Sequence, residues 1–257
     1  MQKRIYRVPA VIKTLDILEY LGKNGEVSFT DIHSNLHIPK GTVYQILETL
    51  RLRGYVRLVG DSSKYFLGFR LFELGTQIVS RVDIRAEALP ALRELSFKTK
   101  QTCHLSILDG IEGVYLIKVE GSQPIRINTW EGKRLPLHST ATGKALLAWI
   151  DEEKLREILK KLKLTRFTER TITRVTELKR HLEMVRKQGW ALDDQENEAQ
   201  IKGIAAPILN IKGEAVAAIS IGGLAAQIDS GKIFEISELV KNTAQKISGL
   251  IGNKTVR

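Results

Sequence analysis

The chain has 257 residues, with 40 Lys plus Arg against 29 Asp plus Glu and a formal net charge of +11. Its 43% hydrophobic and 27% charged residues exclude a wholly disordered chain, and its length favours two domains over one. One cysteine, Cys103, excludes an internal disulfide framework and a CxxC zinc ribbon.

The basic excess is spread along the chain, so net charge alone locates no nucleic-acid face. Local segments say more. Lys3, Arg4 and Arg7 precede the first acid, Asp16, and residues 40–70 hold Lys40, Arg51, Arg53, Arg57, Lys64 and Arg70 against Glu48 and Asp61. A second basic stretch, Lys160 to Lys187, reads as the solvated face of polar helices.

In chain order, Val11, Leu15 and Leu18, with Ile12 beside them, predict a helix over 8–22. Lys13 and Asp16 interrupt the apolar run that a signal peptide needs. Ser28 is an expected N-cap with Asp31 at N3, opening a short helix from Phe29 to Leu36. His37-Ile38-Pro39 breaks it. Val43, Ile46, Leu47 and Leu50 then mark one face of a helix that Gly54 stops. Residues 55–59 and 64–67 read as two strands joined by a turn at 60–63. Helix, helix, tight turn, helix and hairpin is the order of a winged helix-turn-helix over residues 1–70. The exposed N-terminal face of its third helix is expected to present Lys40, Gly41, Thr42, Tyr44 and Gln45 to DNA. There Thr42, Tyr44 and Gln45 would read bases, while Lys40, Arg57 and Lys64 mainly hold phosphates, and Arg7 of the basic arm also binds DNA.

Residues 71–100 are expected to form a helical linker. Leu71, Leu74 and Ile78 share a face, Asp83 restarts the pattern, and Pro90 is a candidate kink. The Leu71 face would pack either within the chain or against a second subunit. From Cys103 the period changes to two. Strands are expected at 103–107, 114–119 and Ile125–Trp130, then a helix capped by Ser139 or Thr140, helices at 151–162 and 174–188, a hairpin of 204–209 with 215–221, and a closing helix at 234–251. The charge-free run Ala215 to Ile228 is too short for a spanning helix. Residues 101–257 therefore read as an α+β domain with an antiparallel sheet flanked by helices. The whole reads as a cytoplasmic protein with no membrane partner.

Three segments together resemble the IclR-type bacterial transcription regulators: Ile38 to Tyr44, Pro136 to Ala145, and Gly189, Asp193, Glu196, Ile204, Ala205, Ile208 and Asn210 at the spacings of that family's C-terminal signature. The similarity runs from Val8 to Gly252. It implies a winged-helix DNA-binding domain, a linker helix and a GAF-like domain that binds a small organic effector. Four positions depart from the family pattern: Gly41 where serine is usual, Gln45 where arginine is common, Gly203 where Cys, Ser or Ala is expected, and Leu209. The same resemblance implies an effector pocket built from Ala141, Thr142, Asp193, Gly203, Ser220 and Gly222. Ser220 and Gly222, two apart on a strand, share a face.

The amides of Ala141 and Thr142 at a helix start suit a carboxylate. Asp193, if ionised, accepts from a ligand hydroxyl and repels a carboxylate. The two would then hold opposite ends of a hydroxylated acid, such as a sugar acid or a hydroxylated aromatic acid. Asp193, Asp194, Glu196 and Glu198 also admit a solvated loop or a catalytic pair. Cys103 and His104, adjacent on a strand, face opposite ways and cannot cooperate directly. His33 and His37 have metal-like i, i+4 spacing, but no Cys or Glu lies nearby, so turn histidines are favoured. Thr142-Gly143-Lys144 lacks the first glycine of a phosphate loop, where His138 stands.

The expectation is a non-enzymatic, effector-responsive regulator without cofactor or metal. It would bind a pseudo-palindromic operator as a homodimer or dimer of dimers. The rivals are an enzyme acting on a small acid with a fused helix-turn-helix, and a protein-interaction adaptor, which leaves the basic wing unexplained.

Overall fold

The computed structural model describes residues 8–59, 63–80, 84–123, 127–228 and 230–252. The chain divides into two compact units, Met1–Arg81 and Val82–Arg257. Arg7, the hairpin turn at 60–62 and Asp83 lie outside the described residues.

The first unit runs α1 (Pro9–Asn24), β1 (Val27–Ser28), α2 (Phe29–Leu36), α3 (Lys40–Leu52), β2 (Val56–Val59), β3 (Lys64–Leu67) and α4 (Phe69–Ser80). Ser28 caps α2 as expected: its Oγ accepts from the Asp31 N–H at 3.2 Å and donates to the Asp31 carboxylate at 2.6 Å. The β2–β3 hairpin pairs Val56 with Leu67, and β1 adds to its other edge through Val27 opposite Tyr65. Ile17, Leu21, Ile32, Val43, Leu47, Leu50 and Val56 form the core. Burial of this order, roughly 1.5–3 kcal/mol for each large aliphatic side chain, holds so small a unit together. In α1 the buried face is Ile17 and Leu21, whereas Val11 and Leu15 stay 54% and 51% exposed. Of the expected face, Leu18 packs against this core, while Val11 and Leu15 lie outside it. On α4, Leu71 is half-buried and Leu74, Phe69 and Phe72 are exposed.

The second unit has three layers. Its six-stranded antiparallel sheet has the order β6-β5-β4-β9-β8-β7. The strands are β4 (Thr102–Asp109), β5 (Glu112–Val119), β6 (Arg134–Leu135), β7 (Ala191–Asp194), β8 (Ile201–Leu209) and β9 (Ala215–Leu224). One face carries Cys103, Leu105, Ile117, Ile204, Ile219 and Ile221 against α5 (Ile84–Thr99) and α9 (Ser230–Gly252). The other carries Ala191, Ala205 and Ala218 against α6 (Ala141–Ala148), α7 (Glu152–Lys161) and α8 (Val175–Gln188). Small residues on that second face let α6 sit close to the strands. Helix α5 continues through Pro90.

Two sequence expectations are corrected. Residues 127–130 of the expected strand Ile125–Trp130 form a loop, and the sheet edge is Arg134–Leu135 instead. The apolar residues Ile127 and Trp130 suggested a strand, but Ile127 packs onto Gly222 rather than entering the ladder. The segment after Gly189, open to reading as a solvated loop, forms strand β7, which pairs with β8.

Helix α6 starts against the chain that precedes it. Thr140 caps it by accepting from the Gly143 N–H at 3.0 Å. A Cβ on Gly143 would stand 2.4–2.7 Å from the backbone of Leu137. Gly143→Ala is therefore expected to destabilise the protein by about 1–3 kcal/mol in urea unfolding. Gly41→Ala, with open space around its Cβ, should hold stability or raise it by up to about 1 kcal/mol.

Candidate functional site

In the first unit, α3 turns Val43, Leu47 and Leu50 inward and leaves Lys40, Gly41, Tyr44 and Gln45 exposed, with Thr42 half-buried. Pro39 precedes the helix, makes no side-chain cap, and the first turn has no acid. The first-turn N–H groups are thus free to meet an anion. Lys64 stands exposed at the start of β3. Arg57, also exposed, stacks its guanidinium between Phe66 and Phe69, 5.1 Å from each ring centroid. That stacking stiffens a side chain that otherwise samples many rotamers. His33 Nδ1 and His37 Nδ1 bond the carbonyls of Ile38 and Ser34, so both imidazoles are engaged in the turn between α2 and α3.

In the second unit, strand register brings the named residues into one place. Asp193 lies opposite Gly203, and Gly203 opposite Gly222, across β7, β8 and β9. Ser220 lies two residues along from Gly222 and opposite His104 of β4. A cavity of about 110 Å³ lies over this row and is lined by Ala141, Thr142, Asp193, Gly203, Ser220 and Gly222. Ala141 and Thr142 are the first two residues of α6 and are buried. Helix geometry leaves their N–H groups without intrahelical acceptors. A Cβ on Gly203 would meet Ala141 and the Ile221 carbonyl at 3.5 Å and Asp193 at 3.7 Å, all ordinary contacts, so the glycine widens the cavity without relieving a clash.

The sequence reasoning missed further lining groups. Tyr115 packs on His104 with ring centroids 4.5 Å apart. His104 Nε2 pairs with Thr129 Oγ1 at 2.8 Å. Lys118 Nζ donates to the carbonyls of Ile127 at 3.2 Å and Thr129 at 2.9 Å, which straps the 127–130 loop across the cavity. Strand alternation could have found His104, because Cys103 goes to the core on the opposite face and thereby turns His104 inward. The loop had no signal of its own.

Behind the cavity lies a buried ion pair. Lys144, fully buried on α6, donates to Glu196 Oε1. Glu196 sits in the bend after β7, whose carbonyls at 195 and 196 accept from the Thr168 and Thr171 hydroxyls. Asp193 Oδ1 accepts from the N–H groups of Glu196 at 2.7 Å and Asn197 at 3.3 Å. Burial pushes the Asp193 carboxyl up to about 7, against the pull of Lys144 and those two N–H groups. Glu196 is raised too, by burial, with Lys144 opposing. Burial, helped by Lys118, lowers His104 to about 3 and leaves it neutral. Burial raises the Tyr115 hydroxyl to about 12, aided by Asp193, and the Cys103 thiol to about 12. Among the described residues no group of three or more His, Cys, Asp or Glu is placed to hold a metal ion. No helix there is long and apolar enough to cross a membrane.

Comparison with known proteins agrees with this architecture. The family model for the IclR helix-turn-helix domain matches residues 10–60. That for the bacterial transcriptional regulator IclR C-terminal domain matches residues 76–249. The HTH-type transcriptional regulator XynR of Escherichia coli K12 is 36% identical over 246 residues, covering 95% of this chain and 98% of its own. The regulator KdgR of the same organism is 36% identical over 252 residues, covering 98% and 96%. The crystal structure of the Thermotoga maritima IclR superposes with a TM-score of 0.82 at 37% identity, covering 94% of this chain and 98% of that one. With both domains matched in order and relatives similar along their whole length, the chain belongs to the IclR family of bacterial transcriptional regulators.

Proposed function

We propose that this regulator is effector-responsive and non-enzymatic and works in the cytoplasm. It binds a pseudo-palindromic operator as a homodimer or dimer of dimers and senses a small hydroxylated carboxylic acid. The observation that carries the effector reading is the single cavity lined by two helix-start residues and four polar or glycine positions from three strands. A carboxylate fits the Ala141 and Thr142 amides, aided by the helix dipole. The Ser220 hydroxyl is available to the ligand's own hydroxyl. The enzyme reading is disfavoured because Cys103 faces the core and His104 Nε2 is held by Thr129. The one hydroxyl paired with an imidazole there, Thr129 Oγ1, meets a His104 that burial lowers to about 3, too weak a base to activate it.

A thermal-shift screen of small hydroxy acids, repeated with an assay for product, tests the reading. Hits without turnover support it. In calorimetry with the best hit, Asp193→Ala and Ser220→Ala are expected to weaken binding by tenfold or more while leaving effector-free operator binding intact. Unchanged affinity in both would place the site elsewhere.

On DNA, Thr42, Tyr44 and Gln45 are assigned to base edges, and Lys40, Arg57, Lys64 and Arg7 to phosphates, with Gly41 giving close approach. Gln45→Ala should relax preference at one operator position at a cost of ~1–3 kcal/mol. Lys64→Ala should weaken all DNA alike and reduce the salt slope by about one. Equal losses on operator and random DNA for Gln45→Ala would count against this division.

Two recognition helices must reach half-sites about one helical turn apart, so specific binding needs at least a dimer. The α4 stripe of Leu71, Leu74 and Ile78, in which Leu71 is half-buried, Leu74 exposed and the Ile78 side chain outside the described ones, is the assigned subunit contact. Sedimentation at operator-saturating concentrations should show no monomer.

A further inference from the structure

Two buried carboxyls, Asp193 and Glu196, lie near Lys144, the one buried ammonium among the described residues. That ammonium is committed to Glu196, as the direct hydrogen bond and ion pair show. Asp193 receives two backbone N–H groups instead, and both go to Oδ1. Its Oδ2 makes no hydrogen bond among the described residues, and Asp193 lines the cavity. A buried carboxylate needs a full charge compensation that two shared amide dipoles do not supply. Glu196 Oε2 is buried without a hydrogen-bond partner, but its carboxylate is compensated by the Lys144 ammonium. Asp193 has no ion pair among the described residues and lines the cavity, which leaves its Oδ2 as the place for a proton.

The other groups around Asp193 do not change this balance. Tyr115 of β5 and His104 of β4 are both neutral near pH 7. Lys202 of β8 is engaged with Asp194 at 3.2 Å. Of the other charged residues that line the cavity, Lys133 donates to the Asn128 carbonyl, Arg134 pairs with Asp109 and Glu112, and Glu198 is exposed. Ser220, Gly203 and Gly222 bring no charge.

We propose that Asp193 meets the effector as a neutral carboxylic acid, donating its Oδ2 proton in a hydrogen bond to an oxygen of an anionic effector, so that binding takes up a proton. This rests on the reading above that the cavity takes a small carboxylate. It inverts the expectation that an ionised Asp193 repels the ligand's carboxylate. A neutral Asp193 attracts that group, and the carboxylate and the aspartate can occupy the same end of the cavity. The acid form also selects against effectors that offer only donors at this point.

The sign of the pH dependence follows. Burial holds the Asp193 carboxyl at about 7. A bound anion raises it further, because deprotonation would then place two negative charges together. Affinity is therefore full below pH 7 and falls by about tenfold per pH unit above it, one proton being taken up per ligand. His104 at about 3, His181 at about 4 and His138, lowered by burial, are neutral throughout that window and add no slope of their own.

Acetate is the probe, with acetamide as its uncharged counterpart of the same shape. The full-length protein is labelled with ¹³C at the aspartate side-chain carboxyls. Its Asp193 signal is followed from pH 5 to 9, and each probe is titrated while the amide signals of Ala141 and Thr142 are read. The expected results are an Asp193 midpoint near 7 and acetate affinity that drops about tenfold between pH 7.5 and 8.5. Acetamide affinity should be flat across the same range. Asp193→Asn keeps an acceptor for the two backbone N–H groups and a donor toward the cavity, so it should bind acetate without a pH slope. An Asp193 midpoint near the ordinary ~3.9 would overturn the proposal. So would pH-indifferent acetate binding in the wild type, or loss of acetate binding in a folded Asp193→Asn. Acetate that leaves the Ala141 and Thr142 amides unmoved at every pH would instead remove the pocket reading beneath it.

Discussion

The second unit is organised around one buried ion pair. Lys144 reaches from α6, and Glu196 reaches from the bend after β7. These two segments carry the two chemically active walls of the cavity: the free amides at the start of α6, and Asp193. The pair therefore fixes the spacing between an amide cradle and a carboxyl. Such a pair adds little net stability, because desolvation of both charges offsets most of the attraction. Its cost is tolerated where a defined geometry is needed. Removing one partner would strand the other in the interior, at roughly 3–5 kcal/mol. The supporting hydroxyls of Thr168 and Thr171 belong to the same device, since they hold the carbonyl side of the bend while Asp193 holds its N–H side.

The two units use the helix start differently. On α3 the first turn is exposed, uncapped by any side chain and free of acids, with Lys40 beside it. A long polyanion can reach it from solvent, and salt will weaken the contact. On α6 the first turn is buried, and Thr140 takes one of its N–H groups. Only a small anion that leaves water can enter, and the low local dielectric strengthens what it meets. In the proposed function one backbone property thus serves two ligands of very different size, and burial decides which.

Much of this was legible in the sequence, for a physical reason in each case. The helices of the first unit follow from their spacing, from the Ser28 cap and from the break at His37-Ile38-Pro39. The hairpin strands follow from alternation around a polar turn. Strands β8 and β9 extend beyond their sequence estimates, to Ile201 and Leu224, because Lys202, Gly222 and Gly223 are weak strand formers that neighbouring strands hold in register. β7 was missed since Asp193 and Asp194 are disfavoured in strands, and pairing with β8 overrides that preference. The six pocket positions came from family resemblance, and register explains their proximity. In the sequence Lys144 reads only as the end of a run like a phosphate loop. Nothing local in the sequence couples it to a glutamate 52 residues away.

The layering sets how a ligand in the cavity can be felt elsewhere. The cavity lies on the α6 side of the sheet, while α5, the first helix of the second unit, packs on the opposite side. Strands β4 and β5 belong to both. His104 and Tyr115 face the cavity, and Cys103, Leu105 and Ile117 face the core shared with α5. Because side chains alternate along a strand, a rotation or shift of β4 that accommodates a ligand also displaces the α5 face. Ser96 of α5 ties in directly, donating to the carbonyl of Gln101 at 2.9 Å beside the start of β4. The ligand can bias the protein only by binding one arrangement of these strands better than another. His104 and Lys118 both pin the 127–130 loop, so β4, β5 and that loop form the contacts through which such a preference would be expressed.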